Sequence, residues 1–210
     1  MPRQASGPDD QTGVTSLEAA LRQIDADLGE ARVPFALVGG LAVSARTEPR
    51  FTRDADLAVA VGNDAEAEAL IHELRARGYG IDAIVEQDAV GRLATVRLTR
   101  SSRRHAPVID LLFASSGIEI EIVAEAEPIE LLPKLTISVA RVGHLIALKV
   151  LSRDDARRPQ DLGDLLALLR VAAAPELEVA RQALALIAAR GYHRGLDLAL
   201  ELQRLIDSAP

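Results

Sequence analysis

Two glycines and two aspartates constrain this chain more than any other feature of its sequence. An apolar run over residues 35–38 ends in Gly39-Gly40, and Asp54 and Asp56 open a second apolar run. The residues between them fit a short helix, so the segment predicts a strand, a helix and a second strand. Side chains at i and i+2 of a strand face the same side, about 7 Å apart. Both carboxylates can therefore reach one or two Mg²⁺ ions, which prefer oxygen ligands.

The paired glycines have a chemical consequence as well. Glycine has no Cβ, so the backbone N–H groups of Gly39 and Gly40 can approach a phosphate at the start of the following helix. The segment thus predicts a phosphate site beside a carboxylate pair.

The tripeptide Asp-Ala-Asp also occurs at residues 25–27, where the context is different. There it lies within a helical pattern of apolar residues, so Asp25 and Asp27 are about 200° apart around the helix axis and cannot share an ion. The strand that follows Asp54 and the glycine pair before it therefore carry the prediction, because an acid-x-acid match alone is common among 31 acidic residues.

Composition excludes several classes of protein. The 210 residues contain no cysteine, which excludes disulfides and thiolate chemistry and fits a cytoplasmic protein. No apolar run approaches the roughly 18 residues of a membrane span, and residues 1–13 form no apolar signal core. The net charge of −7 argues against general coating of nucleic acid. A local basic surface remains open, from Arg92, Arg97, Arg100, Arg103, Arg104 and His105.

The order of patterns predicts an α/β (α+β) fold with a mixed sheet, followed by a helical part. Residues 1–14 are expected to be a disordered leader, residues 15–140 the α/β core, and residues 141–210 a helical region packed on it. Residues 118–123 alternate apolar and acidic side chains and are expected to belong to the sheet or its edge.

Asp110 lies within an apolar strand pattern, residues 108–113. A charge in such a strand costs several kcal/mol unless it is paired or bound to a metal. Asp110 is therefore either a site residue or a cap at the end of the strand. As a site residue it would add a third carboxylate to Asp54 and Asp56, as two-metal phosphoryl or nucleotidyl transfer requires.

The second cluster of chemical interest is Lys149 with Asp161 and Asp164. Lys149 is one of only two lysines and lies in an apolar helical stretch, while the two aspartates share one face of the next helix. Two interpretations remain open. Lys149 binds a triphosphate, or it forms a salt bridge to Asp161 or Asp164 that joins two helices.

These motifs together resemble the polymerase-β-like nucleotidyltransferases, in particular the AbiEii/AbiGii-type toxins of bacterial toxin–antitoxin and abortive-infection systems. Residues 35–61 resemble the first motif of the family, and residues 108–113 resemble its third-carboxylate strand. Lys149 with Asp161 and Asp164 resembles a later Lys…Asp-x-x-Asp element. The resemblance covers about residues 16–170, and Gln160 departs from it where the family often has a cation.

The resemblance implies a Mg²⁺-dependent enzyme that moves an NMP from an NTP to an acceptor hydroxyl, with RNA such as tRNA as the favoured acceptor. It implies metal ligation by Asp54 and Asp56, with Asp110 as third ligand or general base. The residues expected to serve nucleotide binding or catalysis beside these are Gly39, Gly40, Arg53, Lys149, Asp161 and Asp164. For Arg50, contact with phosphate and a role as a simple loop cation both stay open. A cognate antitoxin protein is an expected partner, and a membrane is not.

Two other functions stay open at this point. Aminoglycoside and lincosamide nucleotidyltransferases begin with a similar Gly-Gly…Asp-x-Asp motif, and an acidic pocket would suit a polycationic drug. A nucleotidyltransferase fold can also act as a binding module without catalysis.

Overall fold

The apolar segments of the chain form one mixed sheet with helices packed on it. The computed structural model describes residues 8–50, 52–87, 89–100, 107–154 and 160–208, with side chains from Leu17 onward. In this part of the chain the sheet has seven strands, in the order β3-β4-β5-β2-β1-β7-β6. The strands are β1 (Phe35–Val38), β2 (Asp54–Val59), β3 (Gly80–Gln87), β4 (Arg92–Thr99), β5 (Val108–Leu112), β6 (Glu127–Leu132) and β7 (Leu135–Val139). The helices are α1 (Pro8–Ala31), α2 (Gly39–Arg46), α3 (Asp64–Ala76), α4 (Glu119–Ala124), α5 (Val142–Ser152), α6 (Gln160–Val171), α7 (Ala174–Ala189) and α8 (Leu198–Ser208).

The register of four central strands places the predicted carboxylates in one row. Strand β2 runs antiparallel to β1 and parallel to β5, and β5 runs antiparallel to β4. Asp56 lies opposite Val38 on one side and Asp110 on the other, and Asp110 lies opposite Arg97. Because directly opposite residues in a sheet project to the same face, the row brings two acids and a cation together.

The predicted mixed α/β fold is confirmed, with a helical part after the last strand. The described strands end at Val139, and α5 begins at Val142. Helix α5 is apolar around most of its circumference and packs against α2, α6 and α7. Helix α6 also contacts α2, so the helical part packs on the helix that begins with Gly39-Gly40. None of the described helices combines the length and apolar composition needed to cross a membrane.

The prediction that residues 118–123 belong to the sheet is wrong, because they form α4. A strand would place Ile118, Ile120 and Ile122 on one face. The helix instead buries Ile118 and Ile122 completely, four residues apart, and leaves Ile120 54% exposed. Glu119 stabilises the start of this helix, since its carboxylate accepts hydrogen bonds from the backbone N–H groups of Ser115 and Ser116.

The first helix begins earlier than the sequence pattern indicates, at Pro8 rather than near Thr15. Proline is favoured at the first position of a helix, where its missing N–H has no partner to lose. The expected leader, residues 1–14, therefore overlaps α1, and residues 1–7 lie outside the described residues. The pair Asp25/Asp27 is helical as predicted, and Asp27 is buried with a hydrogen bond from the Tyr79 hydroxyl of 2.7 Å.

Candidate active site

A cavity of about 420 Å³ opens over the row of acids and collects side chains from both parts of the chain. Strands β1, β2 and β5 supply its floor, and α5 and α6 supply residues from the helical part. The predicted site residues that line it are Gly39, Gly40, Asp54, Asp56, Asp110, Lys149 and Asp161, and Arg50 lines it as well.

Strand β2 presents its two aspartates to the cavity because its opposite face belongs to the core. Ala55, Leu57 and Val59 are completely buried. The alternate residues Asp54 and Asp56 face the other way, where Asp54 is exposed and Asp56 is half-buried. The strand alternation predicted from sequence therefore places both carboxylates at the cavity.

Both glycines of the first motif are required by close neighbours. Gly39 begins α2 with a φ of +63°, and a Cβ at this position would overlap the Asp56 carboxylate. A Cβ on Gly40 would come within 2.6 Å of Nη2 of Arg50. Val38, at the N-cap of α2, has no side-chain cap hydrogen bond, and the backbone N–H of Gly40 donates to the Asp56 carboxylate. The glycines thus bring the backbone, one carboxylate and one guanidinium together.

Asp110 is paired with an arginine that the sequence did not connect to it. Nε and Nη2 of Arg97 donate hydrogen bonds to the two carboxylate oxygens of Asp110, at 2.9 and 2.7 Å. The side chain of Asp110 consequently turns toward β4. Across the described residues, no three His, Cys, Asp or Glu side chains come together as a metal-binding group.

Lys149 forms both of the ion pairs that the sequence left open. Its Nζ lies 2.6 Å from Oδ1 of Asp161 and 2.8 Å from Oδ2 of Asp164. All three side chains are largely buried, with exposed fractions of 12%, 6% and 4% for Lys149, Asp161 and Asp164. Since Lys149 also lines the cavity, these pairs fix its ammonium group at the edge of the site.

Asp164 joins the helical part to the loop before β2. Its carboxylate accepts two further hydrogen bonds, from Nε and Nη2 of Arg50, both at 2.7 Å. Burial alone would raise the pKa of Asp164, but the hydrogen bonds from Arg50 and Lys149 outweigh it and lower this pKa. Asp164 does not line the cavity itself and reaches it only through these two cations.

Asp161 has an unsatisfied oxygen. Its Oδ1 is bound to Lys149, whereas Oδ2 is buried and has no hydrogen-bond partner among the described residues. A buried acceptor without a partner is costly, so a bound molecule with an N–H or O–H group would satisfy it. Arg53, the remaining predicted residue, is exposed beside Asp54 and does not line the cavity.

Sequence reasoning missed several cavity residues, notably Arg97, Ser115, Ser116 and Arg194. The proposed basic surface is divided, because Arg92 pairs with Asp64 and Arg97 with Asp110. Its members Arg103, Arg104 and His105 lie outside the described residues. The alternation of side chains along β4 and β5 is a sequence pattern from which the pairing of Arg97 with Asp110 could have been predicted. Ser115, Ser116 and Arg194 carried no comparable local signal.

The carboxylates at the cavity are not fully neutralised, and the pKa of Asp56 is raised. Burial, together with the charges of Asp110 and Asp54, raises the pKa of Asp56 to about 6. Lys149 and the backbone N–H of Gly40 act in the opposite direction without cancelling the increase. The site therefore has room for an additional positive charge.

This raised pKa predicts a pH-dependent cost of the ionised Asp56 to stability. In the unfolded chain the group ionises near pH 3.8 and in the folded protein near pH 6. The cost should be absent below about pH 4, develop up to pH 6 and remain constant above it. Asp56→Asn should therefore raise the free energy of unfolding by about 1–3 kcal/mol at pH 7.5 and leave it unchanged at pH 4. Melting temperatures across this range measure the difference. Asp82→Asn, on the exposed edge strand β3, is the control, and equal gains at both pH values would contradict the account.

Comparison with known proteins identifies the fold and the family. A crystal structure of an antigenic nucleotidyltransferase-like protein from Paracoccidioides brasiliensis is similar, with 17% identity, a TM-score of 0.53, and coverage of 90% of this chain and 93% of that one. The solution structure of the antibiotic-resistance factor ANT(2'')-Ia has 19% identity, a TM-score of 0.55, and coverage of 93% and 98%. No curated protein sequence matches the chain. These structures share the nucleotidyltransferase fold.

The family is shown by a sequence model that covers most of the chain. The model described as nucleotidyl transferase AbiEii toxin, Type IV TA system, matches residues 20–210. The match includes the Gly39-Gly40 element, the row of acids and the Lys149 cluster, and it continues through the helical part. The chain belongs to the AbiEii nucleotidyltransferase toxin family and is a nucleotidyltransferase.

Proposed function

We propose that this nucleotidyltransferase transfers an NMP from an NTP to a hydroxyl of an RNA, such as tRNA, as the cytoplasmic toxin of a toxin–antitoxin pair. One observation carries the proposal. The Gly39-Gly40 start of α2 and the Asp54/Asp56 pair meet at one cavity, beside Arg50 and Lys149. Backbone N–H groups and fixed cations suit the phosphates of an NTP, and the carboxylates suit the reacting end.

The residues of the site fit Mg²⁺, which Asp54 and Asp56 would hold. The observation that supports this fit is the donor set, since Asp54 and Asp56 occupy alternate positions of β2 and both line the cavity. When bound, Mg²⁺ would neutralise phosphate charge during transfer. Asp110 lies next to Asp56 on β5, but Arg97 holds both of its oxygens. A role for Asp110 as third ligand or general base thus requires Arg97 to release at least one oxygen.

The chain's own residues account for the rest of the reaction. The acceptor hydroxyl attacks the α-phosphorus of the NTP, the bond to the leaving pyrophosphate breaks, and a carboxylate of the row takes the hydroxyl proton. Arg50 and Lys149 are fixed by Asp164 and can hold the phosphates without reorganising. Oδ2 of Asp161 is an acceptor for an N–H or O–H group of the nucleotide.

The direct test of this function replaces the two metal-binding acids. Asp54→Asn with Asp56→Asn should lower the transfer of α-labelled nucleotide to total cellular RNA at least about a hundredfold. The folded state should persist, because removal of the Asp56 charge relieves repulsion. Asp25→Asn is the matched control, since it lies in the same tripeptide on helix α1. Unchanged labelling by the double variant would refute catalysis at this site.

The Arg97–Asp110 pair predicts an altered response to Mg²⁺. Arg97→Gln should lower the melting temperature without metal, because Asp110 is 8% exposed and would lose its counter-ion beside Asp56. Added Mg²⁺ should then raise the melting temperature by more than in the unchanged protein, because all three carboxylates become available to it. Arg92→Gln, on the same strand but paired with Asp64, should show the ordinary response. An equal or smaller response in Arg97→Gln would contradict the assignment.

A second candidate is an enzyme that modifies an antibiotic. The acidic row in the cavity favours it, since carboxylates attract a polycationic drug. The similar structure of ANT(2'')-Ia has been obtained with adenylyl-2''-tobramycin, with 17% identity, a TM-score of 0.50, and coverage of 82% of this chain and 98% of that one. Expression in a drug-sensitive host separates the candidates, because growth arrest supports the toxin and raised drug tolerance supports the resistance enzyme. If the protein binds no NTP in the presence of Mg²⁺, it is a binding module instead.

A further inference from the structure

The loop between α7 and α8 reaches the cavity and contributes Arg194 to its lining. Arg194 is exposed and has a φ of 53°, in the left-handed region. It lies far along the sequence from every motif of the core. The fold thus adds to the site a cation that no local sequence motif predicts.

The structure holds this loop in place against the segment that follows β5. The ring of Tyr192 is buried and lies 2.6 Å from where a Cβ on Gly117 would be. Arg190 donates a hydrogen bond to the Gly117 carbonyl and forms an ion pair of 2.6 Å with Glu121. Arg194, two residues after Tyr192, lines the same cavity as Ser115 and Ser116.

Arg194 differs from the other cations of the cavity because no carboxylate of a described residue pairs with it. The other three cationic side chains that line the described cavity are bound to carboxylates: Arg50 to Asp164, Arg97 to Asp110, and Lys149 to Asp161 and Asp164. Arg194 has no ion pair or hydrogen bond from its side chain to any residue that the structure describes. An exposed guanidinium without a protein partner is suited to an anion, above all a phosphate.

The sheet topology separates Arg194 from the predicted triphosphate site. Strand β1 runs antiparallel to β2, and β2 runs parallel to β5, so the ends of β1 and β5 lie at opposite ends of the sheet. Gly39 follows the end of β1, whereas Ser115 and Ser116 follow the end of β5. Asp56 lies opposite Val38, the last residue of β1, so the acids lie near the Gly39 end. If the NTP binds at Gly39, the Arg194 end is left for the acceptor.

We infer that Arg194 binds a phosphate group of the acceptor, and that the acceptor is a nucleic acid strand rather than a cationic drug. The inference rests on the proposed function, because it takes the Gly39 end as the NTP site. A polycationic acceptor would meet an uncompensated guanidinium at this end of the cavity. Because the whole protein carries a net charge of −7, attraction of RNA must come from local cations of this kind.

The test measures binding of fluorescently labelled bulk tRNA by anisotropy, at several salt concentrations, without NTP or metal. Arg194→Gly removes the side chain and is compatible with the left-handed backbone, so the fold should be kept. It should weaken tRNA binding about threefold to tenfold and reduce the slope of log K against log salt by about 1. Arg194→Lys should recover part of the affinity. Arg204→Ala is the control, because Arg204 is exposed on α8 and does not line the cavity.

Two outcomes would overturn the inference: equal tRNA binding by Arg194→Gly and the unchanged protein, and absence of tRNA binding by the unchanged protein. If tRNA binding is equal and a separate titration shows that Arg194→Gly has lost NTP affinity, Arg194 belongs to the donor nucleotide. Failure here is distinguishable from failure of the proposed function, since this assay involves no transfer and the Asp54/Asp56 test involves no change at Arg194.

Discussion

The carboxylate of Asp164, buried between two cations from distant parts of the chain, is the interaction on which the site depends. Arg50 arrives from the loop before β2, Lys149 from α5, and Asp164 from α6. A buried carboxylate requires such partners, and removing one would leave an uncompensated charge, at a cost of about 3–5 kcal/mol. The same contact places the guanidinium of Arg50 against Gly40, which explains why that position has no room for a Cβ. The helical part is therefore a structural component of the cavity.

The remaining charges of the cavity are arranged around a deficit of positive charge. Arg97 neutralises Asp110, and the cluster of Lys149 neutralises Asp161 and Asp164, but Asp54 and Asp56 are left to repel each other. Burial is the main cause of the raised pKa of Asp56, and the charges of Asp110 and Asp54 add to it. Such an arrangement lowers the free energy of unfolding, and it lies at the point where a nucleotide and its cation are expected to bind.

The parts of the site that follow from local pattern were predictable, and those that follow from long-range pairing were not. The Asp54/Asp56 pair and the Gly39-Gly40 element follow from strand alternation and from the lack of a Cβ. The prediction of a strand at residues 118–123 was wrong. Apolar and acidic residues alternate there as in a strand, but buried contacts four residues apart select a helix. Arg194 could not be found, because only the packing of Tyr192 on Gly117 brings its loop to the cavity. For Lys149 the sequence offered two interpretations, and the choice of partner depended on how α5 meets α6.

The most direct measurement is a double-mutant cycle on the free energy of unfolding with Arg50→Ala, Asp164→Ala and the combined variant. If Asp164 links the helical part to the core through Arg50, the two changes should be strongly coupled. The combined variant should be less destabilised than the sum of the single variants by about 2 kcal/mol or more. Additive effects, within about 0.5 kcal/mol, would show that the two residues act independently and would contradict the account.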